Sequence, residues 1–471
     1  MEKDVENERS MMSKNMKICW MILIGFGVIL FSSFAYADFK SILHYEENFL
    51  GAILNGGLQN YYEYSYEQAN YYIANGIEGT SYATYDFIMY IVLGIWGIPV
   101  YIWSNLTGWE VTESFGIMLY GKAIYLVAIV VALYLLYRIF LELKIEKQKA
   151  QQGLFLFASS LLVLAEVCII GQSDILGIVF ILWGYYEFLR EHMWRFTWIF
   201  AVAVSFKIYA LFIFLPLLLL SEKNVFKVAI KTVIAMGVTV VSGIPFSGNA
   251  IDIKKEFSLG MFLKLIENKL PILNKVVPII VVLFGIICLW CYFREFDRDN
   301  RREKAVLVPL VSIVCVFLSF DSFPYWFLHL APWMVIAIIY YADNCKELVF
   351  LETAGMACLI AEQFLQYYWC FDIYNCKNML LDRLFPDTFI TKNSLTLTKI
   401  ADILPQEIAS GILYGGYVIC ILMFLYVCLS KEKKLKIEGI CFETLIGVRL
   451  IVNIVIAYVP VGLYLLNAIR G

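Results

Sequence analysis

Apolar runs of about 18 residues or more recur along this chain, separated by short clusters of lysine and arginine. No other feature constrains the fold as strongly. In water, such runs would present more apolar surface than a core could bury. In a bilayer, each is long enough to cross as a helix, at about 1.5 Å of rise per residue against about 30 Å of hydrocarbon. Of the 471 residues, 61% are hydrophobic and only 16% charged, which argues against a water-soluble domain of this size. The expected fold class is all-α, a polytopic membrane protein. The basic residues lie in short runs between apolar segments, so no nucleic-acid partner is expected. The twelve cysteines lack zinc-ligand spacing. Cys288 and Cys291 form a CxxC within an apolar run and read as packing. Cys370 and Cys376 lie in a polar loop and could pair as a disulfide if that loop faces an oxidising exterior.

Lysine and arginine collect in cytoplasmic loops. The basic clusters are 1–17, 138–149, 190–195, 222–227, 294–304 and 431–436. With all six inside, residues 18–36 leave the cytoplasm as an uncleaved signal anchor, and 115–137 return. The apolar stretch 86–103 then has no crossing to make and is expected to be a re-entrant or interfacial helix on the external side. Residues 152–170 go out, Gly171 to Asp174 make a short external turn, and 175–190 return. Residues 196–206 and 208–221 form a pair broken at Lys207 that dips from the inside and returns. Further segments at 227–245, 276–293, 305–319, 323–342, 348–366, 409–430 and 441–467 alternate in direction. The total is about thirteen crossings, with the N-terminus cytoplasmic and the C-terminus external. The expected organisation is a cytoplasmic segment 1–17, a transmembrane module 18–342 with a long first external loop 37–114, and C-terminal helices 343–471 with an external loop 367–408. Residues 246–275 should be external yet carry five lysines, so either the count fails there or the loop meets lipid phosphates.

Ionisable groups concentrate after the first apolar run. Residues 38–86 hold Asp38, Glu46, Glu47, Glu63, Glu67, Glu78 and Asp86, with nine tyrosines between 45 and 85. Most of these read as a solvated loop with an interfacial aromatic belt. Asp38 stands apart because it directly follows a membrane helix, where partial desolvation suits a general base. Glu46 and Glu47 are candidate substrate-binding acids in the same loop. Gln172 and Asp174 sit on a turn between two helices, where Ser173 or Asp174 would also serve as an ordinary N-cap. Lys207 interrupts apolar sequence and is either a functional cation or a snorkelling one. His329 lies in the aromatic and proline-rich stretch 320–332 and reads either as a core histidine or as a second phosphate contact. Arg449 begins a late helix and is expected to snorkel.

Asp38, Gln172, Lys207 and the 320–332 stretch together resemble the GT-C superfamily of polyprenyl-phosphate-sugar glycosyltransferases. The similarity is to mannosyl- and glucosyltransferase-like members of bacteria and archaea, and to eukaryotic enzymes using dolichyl-phosphate-glucose. Gly171 to Asp174 resembles the family's Gly-Gln-x-Asp-like turn, and Phe206, Lys207 and Pro216 its Phe-Lys…Pro pattern. Tyr82 to Asp86 stands where the family has a Tyr-Pro-Pro-like stretch, without the prolines. The resemblance covers about 18–342. It implies an inverting transfer from a polyprenyl-phosphate-linked sugar to a glycan, glycolipid or protein hydroxyl at the external face of the cell membrane, in cell-envelope glycan assembly. Asp38 would be the base, with Lys207 and His329 near the leaving phosphate. No cofactor is firmly implied, and a divalent metal between Asp38 and Asp174 stays open. The competing reading is a transporter or flippase of a lipid-linked glycan, against which the absence of internal repeats counts.

Overall fold

The structure is a computed structural model describing residues 14–470 apart from 78–79, 247, 273–274, 387–393, 431–436 and 438. Residues 1–13 of the first basic cluster, the basic run 431–436 and Glu78 therefore lie outside the described residues. The described chain is helical apart from one antiparallel hairpin. In order, the helices are α1 (Lys14–Ser33), α2 (Ala37–Asn55), α3 (Tyr61–Ala74), α4 (Phe87–Trp96), α5 (Ile98–Thr107), α6 (Phe115–Glu142) and α7 (Lys147–Ala158). A π-helical segment, Val163–Ile170, precedes α8 (Asp174–Leu189), α9 (Met193–Phe206), α10 (Tyr209–Ser221), α11 (Val225–Gly243) and α12 (Asn249–Leu265). The hairpin pairs β1 (Lys269–Ile272) with β2 (Lys275–Pro278), Leu270 facing Val277. Then come α13 (Ile279–Phe293), α14 (Arg298–Phe317), a 3-10 segment Pro324–Leu330, α15 (Ala331–Tyr340), α16 (Cys345–Gln366), three short helices (Tyr368–Phe371, Leu380–Leu384 and Leu397–Ile403), α17 (Gln406–Leu429), α18 (Phe442–Ala457) and α19 (Val459–Arg470).

Five stretches are long and apolar enough to cross a membrane: α1, α6, α11, Ala342–Gln366 and α17. Three bent pairs raise the number to eight if each is one span: α4 with α5, α7 with the π-helix, and α18 with α19. Stretch 86–103, expected as one re-entrant or interfacial helix, is the α4–α5 pair, bent by 59° at Gly97. Helices α7 and α14 begin inside basic clusters rather than after them. Lysine and arginine are good helix formers, so a charge rule marks the side of a loop and not a helix end.

Two compact units make up the chain. One comprises Met1–Tyr36, Leu133–Gly171 and Phe327–Gly471; the other comprises Ala37–Ala132 and Gln172–Trp326. The first unit corrects one expectation. Arg449 does not snorkel: it is buried, with Nε and Nη2 donating to the two Glu352 carboxylate oxygens at 2.6 and 2.7 Å. Nη1 donates to Ser159 Oγ at 2.7 Å and Nη2 to the Leu156 carbonyl at 3.0 Å. A guanidinium satisfied on all sides has no reason to reach for the interface. Cys370 and Cys376, the candidate disulfide pair, are both buried.

The second unit corrects another. The first loop is solvated only in part. Tyr45, Tyr61, Tyr62 and Tyr90 are buried, the rings of Tyr61 and Tyr90 4.9 Å apart and those of Tyr45 and Tyr90 5.3 Å apart. Each ring is largely hydrocarbon, and such pairs add about 0.5–1.5 kcal/mol beyond their burial. The described part of residues 246–275 includes α12 and β1. Of its five lysines, Lys254 is buried and bonded to Asp86 at 2.7 Å, while Lys255, Lys269 and Lys275 are exposed.

Candidate active site

The site in the second unit is built from breaks between helices. Gly171 has φ 78°, a left-handed conformation that glycine adopts without a Cβ clash, and it closes the π-helix before α8 begins. Asp174 is the first residue of α8, where the helix dipole favours a carboxylate. Ser173 makes no side-chain cap there, so the ordinary capping role is not what holds this turn. Lys207 is extended, φ −151° and ψ 129°, between α9 and α10. Its neighbour Phe206 stacks on Phe180 of α8 at 5.1 Å, and a Cβ on Gly177 would lie 3.3 Å from Phe206 Cβ. The small residue lets the two helices approach and sets Lys207 against the start of α8. Ser221 Oγ lies 3.6 Å from Met193 Sδ, so α9 and α10 form a hairpin with Lys207 at the tip.

Four residues singled out in the sequence converge here. Gln172 Nε2 donates to Asp38 Oδ2 at 2.9 Å, across 134 positions of sequence. Lys207 Nζ lies 2.9 Å from Asp174 Oδ1, with both side chains withdrawn from solvent. Tyr325 also hydrogen-bonds Asp38. Burial pushes the Asp38 carboxyl above its ordinary value; the Gln172 hydrogen bond and the Lys207 charge oppose that rise, and Asp174 adds to it. Gln172 Oε1 is buried with no hydrogen-bond partner among the described residues. The site thus pairs a desolvated acid with an amide that fixes it, beside a lysine held by a second acid.

Tyr82 to Asp86 were marked in the sequence by the resemblance, but no role in the site was given there to the residues that frame this centre. Lys207 Nζ sits 5.0 Å above the ring of Tyr85. Both backbone groups of Tyr85 are taken: its carbonyl accepts from Tyr62 Oη at 2.7 Å, and its N–H donates to Tyr90 Oη at 2.9 Å. Tyr45 Oη donates to the Tyr82 carbonyl at 2.7 Å, and Asp86 is tied to Lys254. Tyrosine hydroxyls therefore hold segment 81–86, which lacks the prolines that would stiffen it. The density of tyrosines was visible in the sequence; which backbone groups they reach was not.

Two candidates of the same unit lie apart from these bonded groups. Glu46 is about two turns along α2 from Asp38. It is buried against Gly97 and Gly121, and burial pushes its carboxyl well up. Glu47 accepts from Ser104 Oγ and from Tyr72 Oη at 3.2 Å. Beside it, His44 Nε2 lies 2.7 Å from Glu110 Oε1 and its ring stacks on Tyr72 at 4.5 Å. Burial pushes the Glu110 carboxyl up, but the bond and charge of His44 outweigh it and hold the group low. His329 belongs to the other unit and is buried there. Among the described residues, no group of three or more His, Cys, Asp or Glu is placed to hold a metal ion. No family model, curated protein or solved structure matches this chain.

Proposed function

We propose that the chain is a membrane glycosyltransferase that moves a sugar from a polyprenyl-phosphate carrier to an acceptor hydroxyl, with Asp38 as general base. The observation that carries this reading is the convergence of Asp38, Gln172, Asp174 and Lys207, from three distant stretches, into one centre. In the proposed step the acceptor O–H gives its proton to Asp38 and the oxygen attacks the anomeric carbon. The bond from that carbon to the phosphate oxygen breaks, and the polyprenyl phosphate leaves with the electron pair. Gln172 keeps the Asp38 carboxylate oriented, and its Oε1 can accept from a sugar hydroxyl. Lys207 has three N–H donors, so it can turn one to the leaving phosphate while keeping Asp174. The raised Asp38 value supports a base poised nearer the working pH than an exposed aspartate. Glu46 and Glu47, away from this centre, are assigned no part in the step.

The finer topology belongs to the same reading. The N-terminus is cytoplasmic, residues 37–114 lie on the external side of a plasma membrane, and the shorter apolar helices bring the crossings toward about thirteen. The test is a product assay. Purified protein is given a panel of polyprenyl-phosphate sugars and soluble acceptors, and glycosylated product is measured by mass. Transfer from one donor, lost in Asp38→Asn, supports the proposal. Movement of an unchanged lipid-linked glycan across vesicles, with no product from any donor, would establish the transporter instead.

A further inference from the structure

The basic clusters of residues 190–195, 222–227 and 294–304 do more than mark a side of the membrane. Around the end of α8, the start of α9, the end of α10 and the first turns of α14 lies a cavity of about 130 Å³. Its polar lining is Arg301, Arg302, Ser221 and Glu191, and Phe188 and Met193 form part of its apolar wall. Helix α8 has 16 residues and rises about 24 Å. Asp174 is at its other end, so the cavity is remote from the Asp38 centre.

The arginines are poorly matched within the protein. Arg301 Nε is buried without a hydrogen-bond partner among the described residues, and its Nη2 makes one long contact to the Phe296 carbonyl at 3.5 Å. Arg302 has no hydrogen bond or ion pair among the described side chains. Lys223 is close enough to interact with Arg301, adding positive charge, and Nζ donates to the carbonyls of Leu219 and Cys291. Against these stand Glu191, exposed in the turn between α8 and α9, and Glu295, whose charge also reaches Lys223. Ser221 Oγ has only loose contacts, to Met193 Sδ at 3.6 Å and the Leu217 carbonyl at 3.4 Å, so its proton can be redirected. A guanidinium fork matches two oxygens of a phosphate, and basic pockets between membrane helices suit anionic headgroups.

We propose that this cavity binds a phosphate-type oxyanion between Arg301 and Arg302, with Ser221 donating to it. The proposal does not depend on the transferase reading. The test uses the full chain, purified in detergent and stripped of lipid, with thermal unfolding followed during titration. The probes are inorganic phosphate, short-chain phosphatidylglycerol and short-chain phosphatidylcholine, with chloride matching the ionic strength. Stabilisation by phosphate alone would identify a free anion as sufficient; stabilisation by phosphatidylglycerol only would identify a lipid headgroup. In either case Arg302→Gln should weaken the apparent affinity about tenfold or more, since it removes a charge-assisted fork. Arg302→Lys keeps the charge and should fall between the two. Equal responses in wild type and Arg302→Gln, equal stabilisation by phosphatidylcholine, or no response to any probe would overturn the proposal.

Discussion

Asp38 shows how a single carboxylate acquires a role from its surroundings. Its side chain is half-buried, bonded to Gln172 and within reach of the Lys207 charge. Asp38→Asn retains volume and a polar partner for Gln172 but cannot take a proton. Turnover should fall about a hundred- to ten-thousand-fold with donor binding retained, measured by single-turnover transfer alongside donor titration. Glu46→Gln and Glu47→Gln, being outside the centre, should cost far less. Because the Asp38 value is raised and the base works deprotonated, kcat/KM should rise with pH through a limb above the ordinary aspartate range. Lys207 opposes that rise, so Lys207→Gln should move the limb to higher pH. A limb that stays in place in Lys207→Gln would remove Asp38 as its source.

The helices around the centre work as a frame. Tyr62 reaches from α3 and Tyr90 from α4 to hold one backbone group each of Tyr85, whose ring lies beneath Lys207. Tyr62→Phe or Tyr90→Phe leaves that group unsatisfied, at a cost of about 1–3 kcal/mol. Each should lower thermal stability and also reduce kcat, while KM changes little, because Tyr85 is loosened rather than removed. Wild-type kcat at reduced stability would make the clamp purely structural. The α9–α10 hairpin depends on Gly177, and a larger residue there would press on Phe206 and displace Lys207.

In the first unit, the Arg449–Glu352 pair ties α18 to α16 and, through Ser159 and Leu156, to the end of α7. Arg449→Met alone strands a buried carboxylate and should destabilise by about 3–5 kcal/mol. Adding Glu352→Gln should recover part of that loss, read from thermal unfolding in detergent. If the double variant were no more stable than the single one, the hydrogen bonds to α7 would be the larger contribution. Membrane orientation has its own test. In a cysteine-free background, Leu106→Cys should react with an impermeant external thiol reagent in cells and Lys147→Cys should not. The opposite pattern would reverse the assigned sidedness.

Much of this was legible without a fold. Apolar run length marks membrane helices because lipid leaves the backbone no other partner, and five stretches long and apolar enough to cross, or eight with the bent pairs, are present among the described residues. Asp38, Gln172, Asp174 and Lys207 could be picked out because each is polar at the end of, or between, apolar segments, where burial without purpose is costly. Other readings failed because composition cannot distinguish a wet surface from a satisfied interior. The tyrosines and acids of residues 38–86 read as a solvated loop, yet the rings pack together and the hydroxyls serve the backbone. Arg449 read as an interfacial cation, yet Glu352 meets it from 97 positions away. Glu46 and Glu47 read as substrate-binding acids of the same loop as Asp38, but a helix turns them to different neighbours. Residue type and spacing determine which segments enter the bilayer and which groups need a partner. The partner itself is decided by tertiary packing, because a hydrogen bond or ion pair depends on a few ångströms between atoms from distant parts of the chain.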